Sequence, residues 1–316
     1  MSANPLHSVA VVGAGAVGCY FGGMLARSGM PVTLIGRAPH MEAIARDGLW
    51  IEGVRVNERI PVAATTSLEE GIRDASVIVF CVKTVSTETA ARELLPFLAP
   101  NATILSFQNG VDNVDRIHSA IGWHAVPVAV YVAAEMTAPG HVTHTGRGDL
   151  VMGHRAGWPP QRELEPLAAM FEKAEIPCRL SHAIETELWT KMILNCAYNA
   201  ISALTRAQYG RMVQFPAVRT LMERAVAETM AVARAEGVPL SEPAMLDGMF
   251  RLAEKMAAAT SSTAQDLTRG KPTEIDSLNG YVARRGAALG IATPISEMLV
   301  TLVKLAEDSA VNRRTG

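Results

Sequence analysis

The chain has 316 residues, which suggests about two domains and a core that removes roughly three quarters of the unfolded surface from water. Hydrophobic residues make up 49% and charged residues 19%, a globular composition that argues against extensive disorder. Lys plus Arg number 29 against 31 Asp plus Glu, and that balance, with only 5% aromatics, argues against a broadly basic or base-stacking nucleic-acid surface.

Along the first ~180 residues, short apolar runs alternate with helical stretches. The runs are Val9–Val12, Val32–Ile35, Val77–Val82, Thr103–Phe107 and Ala125–Val130. They are nearly continuous in Val, Ile and Ala, as strands covered on both faces of a parallel sheet are. Helical patterns such as Cys19–Ser28 and Thr87–Leu95 lie between them. The alternation predicts an α/β Rossmann-type doubly wound parallel sheet. Around His141–Gly153 the stretch HVTHTGRGDLVMG alternates polar and apolar residues and carries glycines, which predicts antiparallel strands closing the sheet. After Leu180 the strand signal ends. Ile184–Leu204, Pro216–Glu236, Pro243–Ala258, Thr273–Leu289 and Ser296–Leu305 read as helices, with stop signals at Gly237-Val238-Pro239 and Gly290 to Pro294. The expected organisation is a dinucleotide-binding domain over 1–182 and an all-α substrate and catalytic domain over 183–316, with Asn312 to Gly316 frayed.

Cys19, Cys81, Cys178 and Cys196 are scattered with no CxxC pair, which argues against a zinc site or disulfide framework and for a reducing cytoplasm. His141 and His144 have a metal-like spacing but no acidic or cysteine cluster beside them, so they read as ordinary strand or loop histidines. No apolar run approaches the ~20 residues of a bilayer span. The opening MSANPLHS carries no secretory pattern.

The first chemical signal is SVAVVGAGAVGCYFGGMLARSG, where Gly13, Gly15 and Gly18 have the GxGxxG spacing directly after a strand and at the opening of a helix. Gly13 permits the tight turn, Gly15 lets the backbone approach a pyrophosphate, and Gly18 lets the helix pack on the strand. The helix N-terminus then offers unsatisfied N–H groups and its positive dipole end to the anion. With a second strand about 20 residues on, the motif reads as a dinucleotide-binding turn rather than a purely structural one. That second strand ends in Gly36-Arg37 with no acid before Glu42. An acid here would hold a ribose 2′-hydroxyl, whereas Arg37 suits a 2′-phosphate, so the expected cofactor is NADP(H). Lys83 follows the third run and Gln108-Asn109-Gly110 the fourth. Ligands of open α/β sheets bind outside the carboxyl ends of strands, which puts Lys83 and Asn109 on the cofactor's path, although Asn109-Gly110 is also an ordinary turn signal.

The second signal is the helix IETELWTKMILNCAYNAISAL. It is apolar nearly all round and so expected to be interior. Yet Lys191, Asn195 and Asn199 recur every four residues, and each such step rotates a side chain by only roughly 40°. The three share one face. A buried lysine needs a partner, so the stripe predicts a polar cleft rather than a snorkelling lysine with two core amides. Further on, Thr273 and Asp276 in PTEID resemble a capping box, with Glu274 in the first turn. The hydroxyls of Thr260-Ser261-Ser262 and the polar pair Gln265-Asp266 form an unassigned patch.

ELWTKMILNCAYNAISAL, SSTAQDL, GKPTEIDSLNG and ATPISEMLVTLVK follow GAGAVG, CVKT, QNGVDN and HTGRGDL in this order. From Val9 to about Leu305 the chain resembles the ketopantoate reductase (2-dehydropantoate 2-reductase) family. The resemblance implies a Rossmann domain, a helical domain, an active site in the cleft between them, and cytoplasmic NADPH-dependent reduction of ketopantoate to (R)-pantoate for pantothenate and coenzyme A synthesis. It further implies that Lys191 is the catalytic lysine and that Asn195, Asn199 and Ser262 bind substrate. Glu274 would order cofactor and substrate. Gly13, Ala14, Gly15, Ala16, Val17, Gly18, Arg37, Lys83, Asn109 and Ala134 would contact cofactor, with Asn109 also near substrate. A free lysine near pKa 10.4 is a poor acid at neutral pH, and partial burial would improve it. The same residues would serve another 2-keto acid. An opine or hydroxy-acid dehydrogenase on the same scaffold, or a dinucleotide sensor, are the other readings. The helical half could support a homodimer, but no self-complementary patch is legible.

Overall fold

The structure is a computed structural model that describes residues 6–160 and 163–315, with side chains to 309. The chain divides into two compact units, residues 1–184 and 185–316.

In the first unit, β1 (Val9–Val12), α1 (Ala16–Arg27), β2 (Val32–Ile35), α2 (Ala38–Asp47), β3 (Leu49–Gly53), β4 (Asn57–Ile60) and β5 (Ala63–Thr65) come first. Then follow α3 (Leu68–Ile72), β6 (Val77–Phe80), α4 (Thr87–Leu94), β7 (Thr103–Ser106), α5 (Asn113–Ile121), β8 (Val126–Ala138), β9 (His141–Met152), α6 (Glu165–Lys173) and β10 (Cys178–Leu180). The sheet order is β4-β3-β9-β8-β7-β6-β1-β2-β5, with β10 against β9. From β5 through β8 every pairing is parallel.

The apolar runs are continuous because both sheet faces are covered. Side chains alternate faces along a strand. Val9, Val11, Leu34 and Val79 join one core cluster with Phe21 and Leu25 of α1 and Phe171 of α6. Ala10, Val12, Ile78 and Phe80 join another with Leu94 of α4 and Ile117 of α5. Each fully buried aliphatic side chain contributes about 1.5–3 kcal/mol.

Beyond the parallel core, β8 and β9 form a long antiparallel pair, as the alternating texture predicts. The strand expected to end at Val130 continues to Ala138, because β9 supplies its backbone partners. β3, β4 and β5 are not predicted from the sequence. β4 (NERI) is an edge strand with three exposed polar residues, so it lacks an apolar signature. His141 and His144 both lie on β9, an odd step apart, and so face opposite ways. His141 Nε2 is 3.0 Å from Glu52 Oε2. His144 stacks on Tyr20 at 4.2 Å and its Nε2 pairs with the carbonyl of Arg147. All four cysteines are free thiols. Burial pushes those of Cys19, Cys178 and Cys196 up to about 12.

The second unit comprises α7 (Ile184–Thr205), α8 (Tyr209–Met212), α9 (Pro216–Ala235), α10 (Glu242–Lys255), α11 (Ser262–Thr268), α12 (Asn279–Leu289) and α13 (Pro294–Thr315). Its core gathers Ile193, Ala197 and Ile201 of α7, Met222 and Met230 of α9, Met249 of α10, and Leu299 and Val303 of α13. The predicted helix from Thr273 is broken: Ile275–Ser277 is a 3-10 turn, and Leu278 (φ −106°, ψ −105°) separates it from α12. Tertiary bonds override the local helix signal. The Thr273 N–H goes to Glu307 Oε1 at 2.7 Å, and Asn279 Nδ2 reaches the Cys196 carbonyl at 3.2 Å. The Thr273 hydroxyl accepts from Ile275 N, two residues on, so no capping box forms. The tail expected to fray is helical to Thr315, and Gly316 lies outside the described residues. Among the described residues, no helix is long and apolar enough to cross a membrane.

Candidate functional site

The glycine turn between β1 and α1 has the geometry that its three glycines predict. Gly13 adopts φ +98°, and a Cβ there would meet the Cys81 and Val82 backbone at 2.7 Å. A Cβ on Gly18 would meet the Gly13 carbonyl at 2.6 Å and Val11 Cγ1 at 2.9 Å. Gly15 is the opposite case: nothing lies within 4 Å of where its Cβ would be. Gly13 and Gly18 thus seat the helix on the sheet, while Gly15 presents bare backbone to open space.

The N–H groups of Gly13 and Ala14 both donate to the Ile35 carbonyl, and the first helical bond of α1 is Cys19 N to Gly15 O. The N–H groups of Ala16, Val17 and Gly18 therefore have no helical acceptor. No side chain caps this end and no acid stands in its first turn. This cradle is suited to a pyrophosphate.

Gly36 packs on Ala14, since a Cβ on Gly36 would lie 3.1 Å from Ala14 Cβ. Arg37, the next residue, is exposed at the start of α2, beside the glycine turn. Lys83 is exposed at the end of β6, and Asn109 follows β7. A buried polar network joins these two strand ends. Gln108 Nε2 donates to the Val82 carbonyl at 3.1 Å and to Thr87 Oγ1 at 2.7 Å. Thr84 Oγ1 and Asn113 Nδ2 both donate to the Asn109 carbonyl, at 3.0 and 2.8 Å. Thr84, Thr87 and Asn113 lie in the quoted motifs and helix but carry no role assigned from the sequence. Their signal is the i, i+3 threonine pair after one strand and an asparagine four residues past Asn109. Ala134 is half-buried on β8 and pairs with His144, whose ring stacks on Tyr20 of α1.

In the second unit, α7 is the interior helix that its composition predicts. From Met192 to Ala203 its residues are buried except Leu194 and Asn195. Lys191 and Asn195 are half-buried, and Asn199 is 3% exposed, so the polar stripe descends into the bundle. It continues to Ser202, fully buried and three residues past Asn199. The Ser261 hydroxyl accepts from Ala264 N and caps α11, while donating to the Asn199 carbonyl at 3.0 Å. Ser261 N donates to Ser202 Oγ at 3.2 Å. Ser262, the first residue of α11, is exposed and held next to the stripe. Ser261, one of the unassigned hydroxyls of the sequence, and Ser202, which carries no sequence signal of its own, tie α11 to the stripe.

Glu274 sits half-buried at the start of the 3-10 turn. That segment is clamped from α13: Lys304 Nζ lies 2.5 Å from Asp276 Oδ2 and 3.1 Å from Glu307 Oε2. Burial raises the Glu307 carboxyl, but hydrogen bonds from Thr273 and Lys304 outweigh it and hold the group below the ordinary carboxylate value. Burial lowers Lys304, but its two carboxylate partners outweigh that and raise it.

Comparison with known proteins adds to this geometry. The family model described as ketopantoate reductase PanE/ApbA matches residues 9–157, and the one for its C-terminal part matches residues 183–307. A 2-dehydropantoate 2-reductase from Halobacterium salinarum is 32% identical over 95% of this chain and 98% of its own. The crystal structure of a PanE/ApbA family ketopantoate reductase from Ralstonia eutropha JMP134 superposes with TM-score 0.89 at 46% identity, over 96% of this chain and 99% of that one. A D-mandelate dehydrogenase, at 23% identity, TM-score 0.90 and coverage of 96% and 99%, shares the fold.

Proposed function

Because this chain belongs to the ketopantoate reductase family, we propose that it is an NADPH-dependent oxidoreductase that reduces the ketone of 2-dehydropantoate to (R)-pantoate, a cytoplasmic step of pantothenate synthesis. The observation that carries the reading is the stripe of Lys191, Asn195 and Asn199 on an otherwise apolar interior helix. A lysine and two carboxamides on one helix face offer the cation, donors and acceptors that suit a carboxylate-bearing, hydroxylated keto acid.

The backbone N–H groups of Ala16, Val17 and Gly18 would hold the pyrophosphate, and the Arg37 guanidinium would pair with the 2′-phosphate. Lys83, Asn109 and Ala134 would contact the cofactor from the first unit, and the Glu274 carboxylate would order cofactor and substrate. When bound, the dinucleotide supplies hydride to the ketone carbon. Lys191 stabilises the negative charge that grows on the carbonyl oxygen and hands over a proton there. Asn195, Asn199 and Ser262 bind the carboxylate and hydroxyl, which fixes the orientation of the ketone.

The test is steady-state NADPH oxidation with a panel of 2-keto acids that includes ketopantoate, pyruvate, 2-ketoisovalerate and phenylglyoxylate. The expected result is the highest kcat/KM for ketopantoate. Comparable or better turnover of another member would overturn the substrate assignment, and NADPH binding without any turnover would identify a sensor instead.

A further inference from the structure

We propose that Gln108 is a positioning residue for the dinucleotide site, acting through a buried carboxamide that ties the loop after β6 to the loop after β7. The inference rests on the reading above that Lys83 and Asn109 meet the cofactor. Gln108 is 6% exposed. A carboxamide taken out of water is tolerated only where its hydrogen bonds are made. Here Ser106 Oγ donates to Gln108 Oε1 at 3.2 Å, and Nε2 donates to both the Val82 carbonyl and Thr87 Oγ1. The donors and acceptors fix its orientation, because a flipped amide would set its oxygen against the Val82 carbonyl.

What these bonds hold is specific. Val82 directly precedes Lys83, and the next residue, Thr84, is tied by its hydroxyl to the Asn109 carbonyl. Thr87 Oγ1, while accepting from Gln108, donates to the Thr84 carbonyl at 2.9 Å. Asn109 follows Gln108, and its carbonyl takes the second bond from Asn113. The backbone on each side of Lys83 and the carbonyl of Asn109 are thus pinned into one buried network. That network lies at the carboxyl ends of two adjacent parallel strands, where an open α/β sheet binds its ligand. A fold that needed only stability at this place would be served as well by apolar groups of the same shape. The amide supplies registry between two loops.

The test is NADPH and NADH binding to the full chain by energy transfer from tryptophan, with thermal unfolding on the same samples. Gln108→Met keeps length and volume and removes the amide. It should raise both Kd values about tenfold. The NADPH-to-NADH ratio should stay unchanged, because Arg37 stands at a different strand end. Thr87→Val should reproduce the loss, and Thr87→Ser, which keeps the hydroxyl, should restore binding to within about twofold. Lys83→Ala and Asn109→Ala serve as references. If they weaken binding while Gln108→Met and Thr87→Val lower only the Tm, the inference is overturned and the reading of the cofactor site stands. If none of the four weakens binding, both fall. Should Gln108→Met fail to fold, the Thr87 pair decides alone: loss with Val and rescue by Ser support the inference, and equal affinities overturn it.

Discussion

The hydroxyl of Ser261 donates a 3.0 Å hydrogen bond to the carbonyl of Asn199. Through it the cap of one short helix is fastened to the polar stripe of another. Because Ser261 also accepts from Ala264 N, one buried oxygen serves helix capping and tertiary attachment together. Ser261→Ala should cost about 1–2 kcal/mol of stability. It should also release Ser262 from its place, lowering kcat/KM for the keto acid while the Kd for NADPH stays unchanged. Thermal unfolding and steady-state kinetics read the two effects separately.

Gly13 and Gly15 should fail in opposite ways. Gly13→Ala places a Cβ at 2.7 Å from backbone in a positive-φ conformation, which should cost about 2 kcal/mol or more. Gly15→Ala meets no protein atom, so the Tm should hold while NADPH affinity falls at least about tenfold. Calorimetry of unfolding and of cofactor binding distinguishes them.

Arg37 has a guanidinium with no ion-pair partner among the described side chains, and it stands beside the glycine turn. Arg37→Ala should weaken NADPH at least about tenfold and NADH hardly at all, as loss of a charge-assisted contact to the 2′-phosphate would. Equal losses for the two would refute the 2′-phosphate role. Titration of both dinucleotides measures this.

The fold was legible where local chemistry and tertiary structure agree. β1, β2, β6 and β7 are covered on both faces, so their apolar runs announce them. The glycine turn was legible because Gly13 and Gly18 stand where a Cβ would meet backbone at 2.7 and 2.6 Å. β4 was not, since an exposed edge strand carries no apolar pattern. The break at Leu278 was not, since bonds to Glu307 and Cys196, distant in sequence, decide it. Within the candidate site, the four-residue spacing of Lys191, Asn195 and Asn199 was visible in the sequence. Ser202, Ser261 and the Gln108 network act through partners on other elements, which spacing along one element does not reveal.

The clamp on the Thr273–Asp276 segment should be sensitive to acid. The folded-state pKa of Glu307 lies below its ordinary 4.5. Its contribution is therefore present above that value and lost as the pH falls from about 4.5 through the lowered one. Lys304 is raised above 10.5, so its contribution is present at lower pH and lost as the pH rises beyond that value. Glu307→Gln should be less stable than the parent at pH 7, with the difference narrowing below about pH 4.5. Denaturant unfolding at a series of pH values checks the sign.

The role of Lys191 is tested most directly by Lys191→Ala, with NADPH binding and the rate of NADPH oxidation by ketopantoate measured on the same preparation. Loss of a positioned proton donor should lower kcat by about 100-fold or more while the Kd for NADPH stays within about twofold. A variant that binds NADPH normally and keeps full kcat would contradict the account.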